Sequence, residues 1–138
     1  MSLYFSLAEL STILKIKPIN NAISNLDVDV MGITTDTRNL HPQSIFIALV
    51  GENFNGHDFV KQAVAKGAIA VIVDHQLDLE DIPQFIVPDT LTAYQQIARW
   101  WRDRWQIPVI GVTGSVGKTS TKELISAVLS TQGKVLKT

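Results

Sequence analysis

Apolar and polar positions divide the chain into short segments that switch between helical and strand periods. Leu7, Leu10, Ile13 and Leu14 recur at helical spacing, and Ser6 with Glu9 three residues on forms a capping box. A helix is therefore predicted over 6–16, with Pro18 and the Asn20-Asn21 pair ending it. Val28 to Thr35 reads as a strand, and Ile45 to Val50 is a continuous apolar run of strand length closed by Gly51. A loop from Gly51 to Gly56 follows. A helix over about 57–66 turns Phe59, Val60, Ala63 and Val64 inward, with Gly67 at its stop. Ala68 to Val73 has the composition of a buried strand, residues 74–84 form a polar acidic loop, and Phe85-Ile86-Val87 is a further short strand.

Pro88-Asp89-Thr90 opens a long helix to about Trp105, with a predicted inner face of Leu91, Tyr94, Ile97, Ala98, Trp101 and Trp105. Val109 to Val112 reads as a parallel core strand. A helix follows from about Lys118 to Gln132, stopped by Gly133, and Val135-Leu136 begins another strand. Strand, loop, helix, strand is the opening unit of a doubly wound nucleotide-binding sheet. Such a sheet needs both faces covered. The expected fold class is therefore α/β in two parts. A small α/β domain occupies 1–88, and 89–138 is the beginning of a P-loop doubly wound ATPase domain, truncated at Thr138.

Composition narrows the function classes. With 46% hydrophobic and 18% charged residues in 138, the chain can bury a core. A net charge of −1 gives no electrostatic reason to bind a polyanion, so no nucleic-acid partner is expected. There is no cysteine, which removes disulfides and thiolate metal sites. Met1 to Leu10 carries no basic n-region, and no apolar stretch approaches the ~20 residues of a membrane helix. No membrane association and a cytoplasmic location are expected. Trp100, Trp101 and Trp105 interleave with Arg99, Arg102 and Arg104, but their helical spacing favours packing over base stacking. His41, His57 and His75 share no metal-ligand spacing, and His57 is assigned a local structural role.

The chemistry concentrates in Thr113-Gly114-Ser115-Val116-Gly117-Lys118-Thr119-Ser120. A loop between a strand and a helix start gathers backbone N–H groups at the positive end of the helix dipole. Gly114 and Gly117 let the backbone close on phosphate oxygens, Lys118 reaches the β- and γ-phosphates of ATP, and the Thr119 hydroxyl ligates Mg²⁺. The general pattern G-x-x-x-x-G-K-S/T is broken at one position, because Val112 stands where its first glycine belongs.

This loop and its continuation Thr121-Lys122-Glu123 resemble the ATP loop of the Mur ligases, ATP-dependent amide ligases of peptidoglycan assembly, whose loop lacks that first glycine. Thr35-Asp36-Thr37-Arg38, Ile45 to Gly51 and Asn55-Gly56-His57-Asp58-Phe59 resemble the family's N-terminal signature. The resemblance covers about residues 30–138. Within the family, Ser115 and Thr121-Lys122-Glu123 are most similar to the branch that joins D-alanyl-D-alanine to UDP-N-acetylmuramoyl-tripeptide. The branch that adds the third peptide residue usually carries T-G-T-x-G-K-T-T.

The resemblance implies that ATP phosphorylates the tripeptide carboxylate and that the amine of D-alanyl-D-alanine attacks the acyl phosphate. It implies that Lys118 is catalytic and that the N-terminal domain grips the UDP end of the substrate. By motif position, Thr35 and Thr37 fall at uracil and ribose, and Glu52, Asn53 and Phe54 fall in a second contact loop. Asp36 and Arg38 belong to the same signature, with Arg38 either a phosphate partner or half of a structural pair with Asp36. The parent enzyme is expected to be monomeric, and this chain alone to lack turnover. The alternatives are the sibling branch, an unrelated P-loop NTPase, or a UDP-sugar binding module.

Overall fold

A computed structural model describes residues 5–19 and 26–138, so the Asn20-Asn21 stop of the first helix lies outside the described residues. The chain forms two compact units, Met1–Trp105 and Gln106–Thr138.

The first unit runs β1 (Phe5–Ser6), α1 (Leu7–Leu14), β2 (Asp29–Val30), β3 (Gly32–Thr34), β4 (Ser44–Ile47), β5 (Val50–Gly51), β6 (Phe54–Asn55), α2 (Val60–Ala65), β7 (Ala70–Val73), β8 (Gln84–Ile86) and α3 (Thr90–Asp103). Short 3-10 turns occupy Thr37–Asn39 and Gly56–Phe59. Its centre is a four-stranded parallel sheet in the order β3-β4-β7-β8. Every residue of β4 and β7 is buried. Successive side chains point to opposite faces. Ile45, Ile47, Ala70, Ile72 and Phe85 therefore pack with Leu7 and Leu10 of α1 and Ala93 and Ile97 of α3. Phe46, Ala48, Val71 and Val73 pack with Val60 and Ala63 of α2. A sheet covered on both faces explains why these strands read as unbroken apolar runs.

The predicted capping box is present: Glu9 N–H donates to Ser6 Oγ at 3.2 Å, and Ser6 N–H donates to Glu9 Oε2 at 3.0 Å. Three expectations are corrected. The strand expected over 28–35 splits at Met31. Asp29–Val30 pairs antiparallel with Phe5–Ser6, and Gly32–Thr34 joins the parallel sheet. The run expected over 45–50 leaves the sheet after Ile47, and Val50, 58% exposed, opens a hairpin with Phe54–Asn55. The helix α3 lies on Ala93 and Ile97, with Trp100 edge-to-face on Phe5 at 5.6 Å. Leu91 and Tyr94 of the expected inner face are exposed, and Trp105 instead meets Trp101 at 5.7 Å. The short Ala93 side chain lets the helix approach, which larger groups at 91 and 94 would prevent. Ala93 and Ile97 enter the first core, and that unit runs to Trp105.

The second unit contains α4 (Lys118–Leu129). Among the described residues neither Val109–Val112 nor Val135–Leu136 has a strand partner, so the strands expected there are absent. A strand is defined by a neighbour's hydrogen bonds, and Val109 and Ile110 are instead 65% and 54% exposed. Lys122 Nζ bonds the Thr138 carbonyl, and Lys137 pairs with Glu123. No helix among the described residues is long and apolar enough to cross a membrane.

Candidate functional site

The loop from Thr113 to Ser120 lies in the second unit and holds two glycines at positive φ. Gly117, φ 79°, is the N-cap of α4, and Gly114 has φ 146°; both are left-handed values that side chains disfavour. No side chain caps α4, so its first N–H groups face outward without an internal acceptor. Lys118 Nζ curls back to donate to the Gly114 carbonyl at 2.6 Å, which holds its ammonium over the loop. Thr113, Ser115, Val116, Thr119 and Ser120 are all exposed. Uncapped N–H groups, an ammonium and the Thr119 hydroxyl within one helical turn are the donor set that a triphosphate with a hard divalent cation requires.

In the first unit, Thr35, Asp36, Thr37 and Arg38 follow β3. The Thr34 hydroxyl accepts from Asp36 N–H at 3.1 Å and donates to the Asp36 carbonyl at 3.0 Å. Asp36 caps the next turn by accepting from Arg38 N–H at 2.8 Å. Its carboxylate also takes the Arg38 guanidinium, with Nε at 3.0 Å from both oxygens and the terminal nitrogen at 2.7 Å. The hydrogen bond from that guanidinium, first among several causes, lowers the Asp36 pKa to about 2. Of the two roles left open for Arg38, the geometry shows the structural pair with Asp36. Thr37 points inward: its hydroxyl donates to Gln62 Oε1 of α2 at 2.9 Å, and its carbonyl accepts from Lys66 Nζ at 2.7 Å.

Glu52 and Asn53 form the turn of the β5–β6 hairpin, and Phe54 stacks on Phe59 with ring centres 5.3 Å apart. Glu52, Asn53 and Phe54 are exposed. Gly56 fixes where this hairpin stands, because its backbone lies against Ala48 and Leu49 just past β4. The strands are parallel, so residues 35–38 and the hairpin both emerge from the carboxyl edge of the sheet. Ligands of open α/β sheets bind along that edge.

The same edge brings His57 to Asp74 and His75, a neighbouring pair that the sequence kept apart from it. Asp74 and His75 follow β7, and His57 reaches them from the Gly56–Phe59 turn. His57 Nε2 is 3.1 Å from Asp74 Oδ1, His75 Nδ1 contacts the same oxygen, and the two imidazoles stack at 4.7 Å. Burial holds His57 below the ordinary imidazole pKa. The one available signal was an Asp-His pair directly after a buried strand run.

Residues 29–104 match the Mur ligase family, catalytic domain. The chain is 54% identical over 121 residues, 85% of its length and 27% of the relative's, to a UDP-N-acetylmuramoyl-tripeptide–D-alanyl-D-alanine ligase of Synechocystis sp.. It is 39% identical, over 84% of its length and 24% of the relative's, to a UDP-N-acetylmuramoyl-L-alanyl-D-glutamate–L-lysine ligase of Staphylococcus haemolyticus. A crystal structure of MurF from Acinetobacter baumannii superposes with a TM-score of 0.83 at 34% identity, covering 94% of this chain and 28% of that one. MurF ligase from Thermotoga maritima in complex with ADP superposes with a TM-score of 0.67 at 31% identity, covering 77% of this chain and 25% of that one. The chain spans about a quarter of the length of the curated relatives it matches.

Proposed function

The chain belongs to the Mur ligase family, and from that premise we propose that it serves an ATP-dependent amide ligase joining D-alanyl-D-alanine to UDP-N-acetylmuramoyl-tripeptide. The observation that carries this reading over the sibling branch is the difference in identity, 54% against 39% over similar spans. The activity is proposed for a polypeptide of the relatives' length, working as a monomer in the cytoplasm on peptidoglycan precursors. The part described here supplies two binding functions, and no turnover is expected from it alone.

The first is the grip on ATP. Backbone N–H groups of 114–120 take the phosphate oxygens, and Lys118 exchanges the Gly114 carbonyl for the β- and γ-phosphates. Thr119 would hold Mg²⁺, which when bound neutralises charge on the phosphates. The γ-phosphoryl group passes from ATP to an oxygen of the tripeptide carboxylate as ADP leaves; the incoming amine then attacks the acyl carbon, forming the C–N bond, losing a proton and breaking the C–O bond so that phosphate departs. Phosphoryl transfer depends on positioning and charge neutralisation, and a fixed ammonium and a helix N-terminus provide both.

The second is the grip on the UDP end. Thr35, Asp36, Thr37 and Arg38, with Glu52, Asn53 and Phe54, line the carboxyl edge of the parallel sheet. Thr37 acts from inside, holding the 35–38 turn to α2 through Gln62, while Phe54 offers a ring face. Calorimetry of this chain should give saturable binding of UDP-N-acetylmuramoyl-tripeptide. In the full-length ligase Lys118→Ala should lower kcat by about 10²–10³ with an unchanged melting temperature. Retained ligation in that variant refutes the role of Lys118. Turnover with L-lysine and UDP-dipeptide in place of D-alanyl-D-alanine and UDP-tripeptide assigns the enzyme to the sibling branch.

A further inference from the structure

We propose that His57, Asp74 and His75 form a binding site for a zinc-class divalent transition-metal ion at the carboxyl edge of the sheet. The inference starts from the protonation of His57. The Asn55 side-chain oxygen accepts the His57 backbone N–H at 3.1 Å, so the orientation of that amide is fixed. The same oxygen lies 2.8 Å from His57 Nδ1, which must therefore carry its proton. The neutral ring is left with a lone pair on Nε2, and this nitrogen faces Asp74 Oδ1 at 3.1 Å. A nitrogen and a carboxylate oxygen thus converge at a spacing that a cation bound beside both would use. The Asp74 backbone N–H lies 3.2 Å from Nε2, at the outer limit of a hydrogen bond, and a metal ion replaces that weak contact.

His75 completes the set. Its Nδ1 contacts the same carboxylate oxygen, and among the described residues the three ligand atoms lie within 4.8 Å of one another. Ion binding needs only the His75 tautomer with its proton on Nε2. The His57 side chain is 5% exposed while those of Asp74 and His75 are 34% and 60% exposed. One ligand is thus anchored, and two can adjust to the ion. The Asn55 bond to the far nitrogen of His57 is the outer-shell contact that orients metal-binding imidazoles. Two imidazoles and one carboxylate suit zinc and its neighbours rather than magnesium, which takes oxygen ligands. His57 also lines a groove of 340 Å³ together with Asp58, Lys61 and Asp78.

The test is a competition titration of the chelator-treated 138-residue chain with Zn²⁺ against a chromogenic chelator. One equivalent should bind. His75→Ala and Asp74→Asn should each weaken binding about tenfold or more, whereas His41→Ala, which removes the remaining histidine, should not. Melting curves in zinc-free buffer report whether the variants fold. In the unmutated chain, imidazole C–H signals of His57 and His75 should move on adding Zn²⁺, with those of His41 unmoved. Absence of binding, equal binding by the His75 and Asp74 variants, or movement of His41 alone would overturn the assignment.

Discussion

Replacing Gly56 by alanine tests how the hairpin that carries Glu52, Asn53 and Phe54 is anchored. A Cβ at that position would lie 2.7 Å from both Leu49 N and Leu49 O and 2.8 Å from Ala48 Cα. All three are backbone atoms just past β4, a strand buried at every residue, so none can yield without moving the sheet. The Gly56 N–H also donates to the Leu49 carbonyl at 2.7 Å, and a displaced chain stretches that bond. Overpacking in a close-packed interior costs about 1–3 kcal/mol, and the weakened hydrogen bond about 0.5–1.5 kcal/mol. The sum is about 1.5–4.5 kcal/mol. For a unit of roughly 100 residues each kcal/mol lowers the melting temperature by about 4–8 °C, so Gly56→Ala should melt at least about 6 °C lower. Circular dichroism melting of the chain reads this directly. Gly51→Ala is the control in the same hairpin, since its Cβ would meet only the Phe54 carbonyl, at 3.9 Å. A Gly56→Ala protein melting within about 2 °C of the parent would refute the anchoring argument.

Arg38→Ala should return the Asp36 carboxyl from about 2 towards its ordinary 3.8, followed by carboxyl ¹³C titration. Because the folded value is the lower one, the contribution of Asp36 to stability is present above 3.8 and is lost as pH falls through about 2. Arg38→Ala should therefore flatten the acid limb of stability in that window, and an unchanged limb counts against the pair. Gln62→Ala strips the buried Thr37 hydroxyl of its partner and should cost about 1–3 kcal/mol in denaturant unfolding; an unchanged midpoint would show that the pair contributes nothing. Phe54→Ala should weaken binding of the UDP-linked substrate about fivefold or more, as loss of an aromatic face against a base does, with melting unchanged. Equal affinity would remove Phe54 from the site.

What the sequence shows well is chemistry settled within a few residues. The Ser6–Glu9 box, the Asp89 cap of α3 and the glycines of the phosphate loop are local, and each appears where its residue type predicts. The Asp36–Arg38 pair spans two positions and is equally legible. The inner face of α3 is a different problem: Ala93 wins over Leu91 and Tyr94 because of what the sheet and α1 present to it, which no periodicity within the helix encodes. Val109–Val112 has strand composition but, among the described residues, no strand neighbour to bond. Thr37 belongs to a short polar signature, yet its side chain turns inward to Gln62, 25 positions on. The meeting of His57 with Asp74 and His75 depends on β7 lying beside β4, a relation set by the whole sheet.

The order of the parallel strands has a consequence for how the first unit is made. Because β3, β4, β7 and β8 adjoin in the order in which they are synthesised, each new strand is added to an edge already laid down. No strand waits for a later one to be inserted beside it, which keeps loop-closure distances short for an otherwise slow parallel topology. The last layer, α3, closes over Phe5 and Leu10 only after β8 has left the ribosome. Until then the face carrying Ile45, Ile72 and Phe85 is covered only by α1 and the short β1–β2 pair. Nascent chains halted between Val87 and Trp100 are thus the stage at which this protein is most exposed to aggregation.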